Sequence, residues 1–277
     1  AGVVIAQYYG ANDTKRMRKS IHSSMALTLV MAMLLTIIGL VCTNPLLHAI
    51  GVPSDVFDQA SQYLAIYFGG ITFTLIYNMG AGILRAIGDS KRPLYFLVIA
   101  SVINIILDFL FVKVFQWGVA GAGVATLIAQ GISAVMVVFI LMYTKENYQL
   151  VIKEISFDKE MLTRIIKIGL PTGIQQSIVS LSNVIVQSYV NVYGSSVIAG
   201  YSVTVKIDGF VNLPLQAFNM AVTTFVGQNI GAKKYDRVKK GAYITYILAT
   251  ITIGIFVVVM YFFGKDFIAI FNQEKEV

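Results

Sequence analysis

The sequence predicts an all-α polytopic membrane protein, and three observations carry that prediction. The 277 residues are 57% hydrophobic and 13% charged, with a mean hydropathy of +0.75, a composition outside that of soluble domains and disordered chains. Charged residues vanish over stretches long enough to cross a bilayer. The Lys and Arg that remain gather in alternate gaps between those stretches.

Taken in order, the chain opens inside an apolar segment, Ala1 to Ala6, with no charged leader or cleavage site. It reads as the end of a helix rather than a signal peptide, and the chain as a piece of something longer. Asp, Glu, Lys and Arg are absent from Ser20 to Ser54, Gln59 to Leu84, Val114 to Thr144, Ile168 to Val205 and Gly241 to Gly264. Pro93 to Val112 is interrupted only by Asp108. Ile168 to Val205 is too long for one span, and Asn191-Val-Tyr-Gly-Ser-Ser196 reads as a turn inside it. Seven spans follow, at about 24–43, 59–84, 93–113, 119–143, 165–190, 198–226 and 242–263.

Residues 10–20, 85–92, 145–167 and 233–240 hold 17 of the 21 basic residues. By the positive-inside rule these loops are cytoplasmic, and 44–57, 113–118 and 191–197 face out. The net charge of +7 is thus a matter of topology, and no nucleic-acid partner is expected. The lone Cys42 closes no intrachain disulfide, and His22 and His48 lack the cysteine partners of a zinc site. Gly118-x-x-Gly121-x-Gly123 has neither the strand nor the Lys-Ser/Thr of a phosphate loop, and reads as close helix packing.

One internal repeat stands out. Gln7-Tyr-Tyr-Gly-Ala11 falls on Gln228-Asn-Ile-Gly-Ala232 at a shift of 221 residues, and Arg16, Arg18 and Lys19 fall on Arg237, Lys239 and Lys240. With a second copy opening near Leu162, about 60 residues would precede this chain and about 106 follow it, for about 440 in all. Each copy would hold six spans, so that both point the same way through the membrane. The expected architecture is two six-helix bundles related by a pseudo-twofold axis, with only part of each present. Residues 1–144 form the N-terminal bundle, 145–162 a cytoplasmic linker and 163–277 a truncated C-terminal bundle.

The paired Gln-x-x-Gly-Ala motifs, Leu84-Arg-Ala-Ile-Gly-Asp89 before Lys91-Arg-Pro93, and Gly169-Leu-Pro171 resemble the multidrug and toxic compound extrusion (MATE) family along the whole chain. The resemblance implies a twelve-helix efflux antiporter, of which this chain is the end of helix 2 through helix 9. It implies no enzyme and no cofactor, H⁺ or Na⁺ as coupling ion, small organic substrates that are often cationic, and a monomer in the lipid bilayer of the plasma membrane.

Asp108 is the acid that an apolar span carries without a basic neighbour, at about 2.5 to 3.5 kcal/mol on insertion scales. Asn104 lies one turn earlier on the same face. Counted from Pro93, Asp108 is about 22 Å along, in the outward half. Two readings stand: a functional acid lining a cavity, or a helix-end acid kept charged by water and Lys113. The resemblance favours the first, because one branch of the family couples export through an Asn-x-x-x-Asp pair that Asn104 and Asp108 match, with Thr126 and Asn78 corresponding to further site residues. An aspartate on helix 1, which completes that site in relatives, lies outside this sequence. Na⁺ could sit at Asp108 and Asn104; a proton could equally reside on Asp108. Lys206 and Asp208 read as a snorkelling or mutually neutralised pair, or else as cavity lining, and Gln175 and Gln176 stand where another branch places a glutamate. A lipid-linked oligosaccharide flippase shares the architecture and is the alternative; its cavity would carry several cations, and only Lys206 approaches that.

Overall fold

The computed structural model describes residues 1–190, 193 and 195–271, and the regular structure among these is helical throughout. The order is α1 (Gly2–Gly10), α2 (Thr14–Ala49), α3 (Ser54–Ala86), α4 (Lys91–Asp108), α5 (Gly118–Tyr143), α6 (Lys159–Val190), α7 (Ser195–Gly231) and α8 (Tyr235–Phe271). A π-helical segment, Phe109–Val114, continues α4, and Ile152–Glu154 forms a single 3-10 turn.

Six of the seven predicted spans lie inside one helix each, and 93–113 runs through α4 into the π segment that continues it. The helices overrun the apolar stretches, since backbone hydrogen bonds go on closing after the side chains turn polar. Thr14–Ala49, Ser54–Ala86, Lys91–Val114, Gly118–Tyr143 and Tyr235–Gly264 are apolar enough to cross a membrane. The other two regions, α6 and α7, have 32 and 37 residues, ample length for a core of about 30 Å. Their hydropathy is diluted by Gln175, Gln176, Lys206 and Asp208. The turn predicted at 191–196 lies largely outside the described residues. Many apolar side chains face outward, Ile105 at 68%, Val135 at 65% and Tyr261 at 83% exposure, an apolar surface larger than a water-soluble protein carries.

The chain divides into two compact units, Ala1–Ile165 and Ile166–Val277. In the first, α3 packs against both α2 and α5, α4 packs on α5, and α1 lies against α2 and α3. Small residues allow this closeness. A Cβ on Gly80 would meet Val137 Cγ2 at 2.7 Å, and one on Gly123 would meet Ile66 Cγ2 at 3.2 Å. A Cβ on Gly121 would meet Phe111 at 3.0 Å, so Gly121 and Gly123 serve helix packing as their spacing suggests, whereas Gly118 has open space around it and adopts φ +58. Tyr77 donates from its hydroxyl to the Pro93 carbonyl at 2.9 Å and ties α3 to the start of α4. In the second unit α7 packs against α8.

The segment after α5 returns to the first turns of α2. Arg18 donates to both carboxylate oxygens of Glu154, Lys19 to Asp158 at 2.8 Å, and Ser23 Oγ to the Ser156 carbonyl at 3.1 Å. The Val151 N–H donates to His22 Nε2 at 3.0 Å, which fixes that nitrogen as the acceptor and leaves Nδ1 to donate to the Arg18 carbonyl at 2.7 Å. The Arg18 hydrogen bonds hold the Glu154 carboxyl below the usual range, and the Lys19 hydrogen bond, helped by the Met161 N–H, does the same for Asp158. At the entry to α6, Arg164 donates to Tyr8 Oη at 2.8 Å and Gln7 Oε1 at 3.0 Å, with its guanidinium 5.0 Å over the Tyr8 ring.

The repeat is written into the backbone as well. After α1, Asn12 adopts φ +55; after α7, Lys233 adopts φ +58. The Asn12 and Asp13 N–H groups donate to the Tyr9 and Tyr8 carbonyls, and those of Lys233 and Lys234 to the Ile230 and Asn229 carbonyls. Both are Schellman turns, with every donor and acceptor displaced by the same 221 residues.

Candidate functional site

Asn104 and Asp108 occupy the last turn of α4, one turn apart and half-buried. Immediately beyond Asp108 the helix changes to π geometry, with the Phe115 N–H reaching back to the Leu110 carbonyl at 2.8 Å. Such turns recur at functional sites. Asn104 Nδ2 and Asp108 Oδ1 are both buried and both without a hydrogen-bond partner. Despite their spacing they do not bond each other. An orphaned carboxylate oxygen in an apolar span carries a desolvation cost that a cation or a proton would relieve.

Thr126 sits on the adjoining α5 and lines a cavity of about 100 Å³ between α3 and α5. Tyr63, Tyr67 and Thr74 come from α3, and Gln130 lies one turn past Thr126. Gln130 Oε1 is likewise buried without a hydrogen-bond partner. Asn104, Asp108 and Asn78 lie outside that lining; Asn78 is exposed on α3, one turn beyond Thr74. Sequence reasoning passed over Gln130, although a glutamine one turn from Thr126 in an otherwise apolar helix was the available signal.

Lys206 and Asp208 are both exposed on α7. The Asp208 carbonyl accepts from Asn212 Nδ2 at 2.8 Å. Gln175 and Gln176 are exposed on α6, where Gln175 borders an apolar groove with Leu170, Pro171 and Ile174. Among the described residues no group of three or more His, Cys, Asp or Glu side chains could hold a metal ion. Asp108 and the amide of Asn104 would therefore need ligands of other kinds to hold Na⁺.

The MatE family profile matches residues 1–110 and 171–277, one block in each half of the chain. The chain belongs to the MatE family. It is 30% identical to the probable multidrug resistance protein YoeA of Bacillus subtilis and 31% identical to the probable multidrug resistance protein YpnP of the same organism. These alignments take in 100% and 99% of this chain and 61% of each relative. The chain thus spans about three-fifths of the length of the MatE relatives it matches. Among solved structures, an outward-facing multidrug resistance MATE family transporter of the MOP superfamily superposes at a TM-score of 0.91 with 23% identity, over 99% of this chain and 61% of that one. A MATE crystal structure in the bent conformation gives 0.90 with 24% identity, over 98% and 61%. The MatE fold and the multi-pass membrane assignment rest on these likenesses together with the apolar helices.

Proposed function

We propose that the intact protein is a cation-coupled antiporter of the plasma membrane that exports small organic, often cationic, compounds. The observation that carries the reading is the Asp108 carboxylate, which ends α4 inside an apolar span with Oδ1 buried and unpartnered. A group in that state gains from binding H⁺ or Na⁺. Asn104, one turn earlier, contributes an amide whose oxygen and nitrogen exchange places by a flip, so it can serve as donor or acceptor. Thr126 and Gln130 offer oxygens on the helix packed against α4. The cation and the organic substrate then draw on linked states, each favouring a different conformation. The relatives named as multidrug resistance proteins support the substrate class.

The test is Asp108→Asn in the full-length transporter, reconstituted in vesicles under an imposed proton or sodium gradient. Gradient-driven drug efflux is expected to vanish while gel-filtration behaviour stays that of the wild type. Wild-type efflux from well-folded Asp108→Asn protein would make Asp108 a solvated helix-end acid. Translocation of a fluorescent lipid-linked oligosaccharide, with no drug efflux, would establish the flippase alternative.

A further inference from the structure

The two copies of the Gln-x-x-Gly-Ala turn have the same backbone and differ in how their cations are balanced. In the first, Asp13 caps α2 by accepting from the Arg16 N–H at 3.0 Å, and Arg18 and Lys19 are neutralised by Glu154 and Asp158. In the second, Lys234 stands where Asp13 stood, and Lys239 and Lys240 replace Arg18 and Lys19. Lys233, Lys234, Arg237, Lys239 and Lys240 are all exposed, with Asp236 the one acid between them. Among the described residues none of the five forms an ion pair with a carboxylate, and Arg237 instead lies 6.0 Å over the Phe225 ring.

The patch has a definite position. The apolar span Tyr235–Gly264 begins inside it, so the charges stand where hydrocarbon gives way to water. Tyr235, Lys239, Tyr243 and Tyr246 fall on one face of α8, and the three tyrosines are 58%, 67% and 71% exposed. Tyrosines beside a run of cations are what a headgroup layer accommodates, the rings at the interface and the ammonium groups on the phosphates.

We propose that the α7–α8 turn is a binding surface for the phosphate of an anionic phospholipid, held by Lys234, Arg237, Lys239 and Lys240. Lipid phosphate supplies there the anions that the protein itself supplies to the first copy. The full-length transporter would be purified in detergent with equimolar phosphatidylglycerol and phosphatidylcholine, and the retained lipids counted by native mass spectrometry. Phosphatidylglycerol is expected to be retained in about fivefold excess or more. That excess should fall when NaCl is raised from about 0.05 to about 0.5 M, because exposed charges are screened. Replacing the four residues by Gln removes the excess, whereas Lys15→Gln with Arg16→Gln in the first copy leaves it. Equal retention of the two lipids by the wild type overturns the proposal, as does an excess that ignores salt. Displacement of the lipid by millimolar inorganic phosphate would make this a site for the free anion and overturn the lipid assignment.

Discussion

The guanidinium of Arg18 meets the carboxylate of Glu154 fork to fork, Nε donating to Oε2 at 2.6 Å and Nη2 to Oε1 at 2.8 Å, across 136 residues of sequence. Bidentate geometry makes this pair more specific than a surface contact between two point charges. It fixes the segment between α5 and α6 to the foot of α2, so the entry to α6 is set by α2 as well as by α5.

Reversing one charge should therefore free that segment, and reversing both should restore it. Glu154→Arg is expected to speed chymotryptic cleavage after Phe157, which is 53% exposed. Arg18→Glu combined with Glu154→Arg should bring the rate back towards the wild type. A double variant as labile as the single one would show that the segment is held by other contacts.

The same contacts set a pH dependence. Glu154 and Asp158 titrate below their ordinary values in the folded protein. Their stabilising contribution is present above the unfolded carboxylate pKa of about 4 and is lost only as pH falls through the depressed folded values. A spin label at Phe157→Cys should keep its restricted mobility from about pH 8 to about pH 5 and gain mobility in stronger acid. Release above about pH 5 would contradict the assignment to these two carboxylates.

Gln130→Leu removes a buried oxygen that makes no hydrogen bond. An unsatisfied group of this kind costs about 1 to 3 kcal/mol, so the variant should melt at or above the wild-type temperature. It should also lose efflux, since Gln130 lines the Thr126 cavity. A lower melting temperature in thermal-shift gel filtration would mean that Gln130 is structural.

Gly80 admits α5 at close range, because an added methyl would meet Val137 Cγ2 at 2.7 Å and Cγ1 at 2.8 Å. Overpacking of this sort costs about 1 to 3 kcal/mol. Gly80→Ala should lower the melting temperature, and Val137→Ala in the same chain should recover much of the loss. No recovery would place the strain elsewhere.

The fold was legible where apolar runs decide it. The seven stretches free of most charge became α2 to α8, and the shift of 221 residues in Gln-x-x-Gly-Ala reappeared as matched hydrogen bonds around Asn12 and Lys233. Helix ends were less legible, because Thr14 to Ser23 and Lys159 to Arg164 are helical for backbone reasons that hydropathy does not register. The polar clasp was invisible: His22 and Ser23 bond to Val151 and Ser156, and no local pattern announces a partner more than 120 residues away. At the candidate site the Asn104–Asp108 spacing was readable, while the π turn behind it and the orphaned Gln130 oxygen depend on three-dimensional packing.

The π turn also changes how this stretch should be counted. A bond from Phe115 back to Leu110 takes up one more residue than an α-helical bond, and Phe111 stacks on Trp117 at 4.9 Å across six positions. A helical wheel drawn straight through 93–117 therefore loses its phase at Asp108. A chain shorter by one residue between Phe109 and Val114 could return to ordinary α geometry and still deliver Gly118 to the start of α5. The same deletion inside α5 would turn Thr126 away from its cavity, which makes 109–114 the stretch of this hairpin best suited to absorb a change of length.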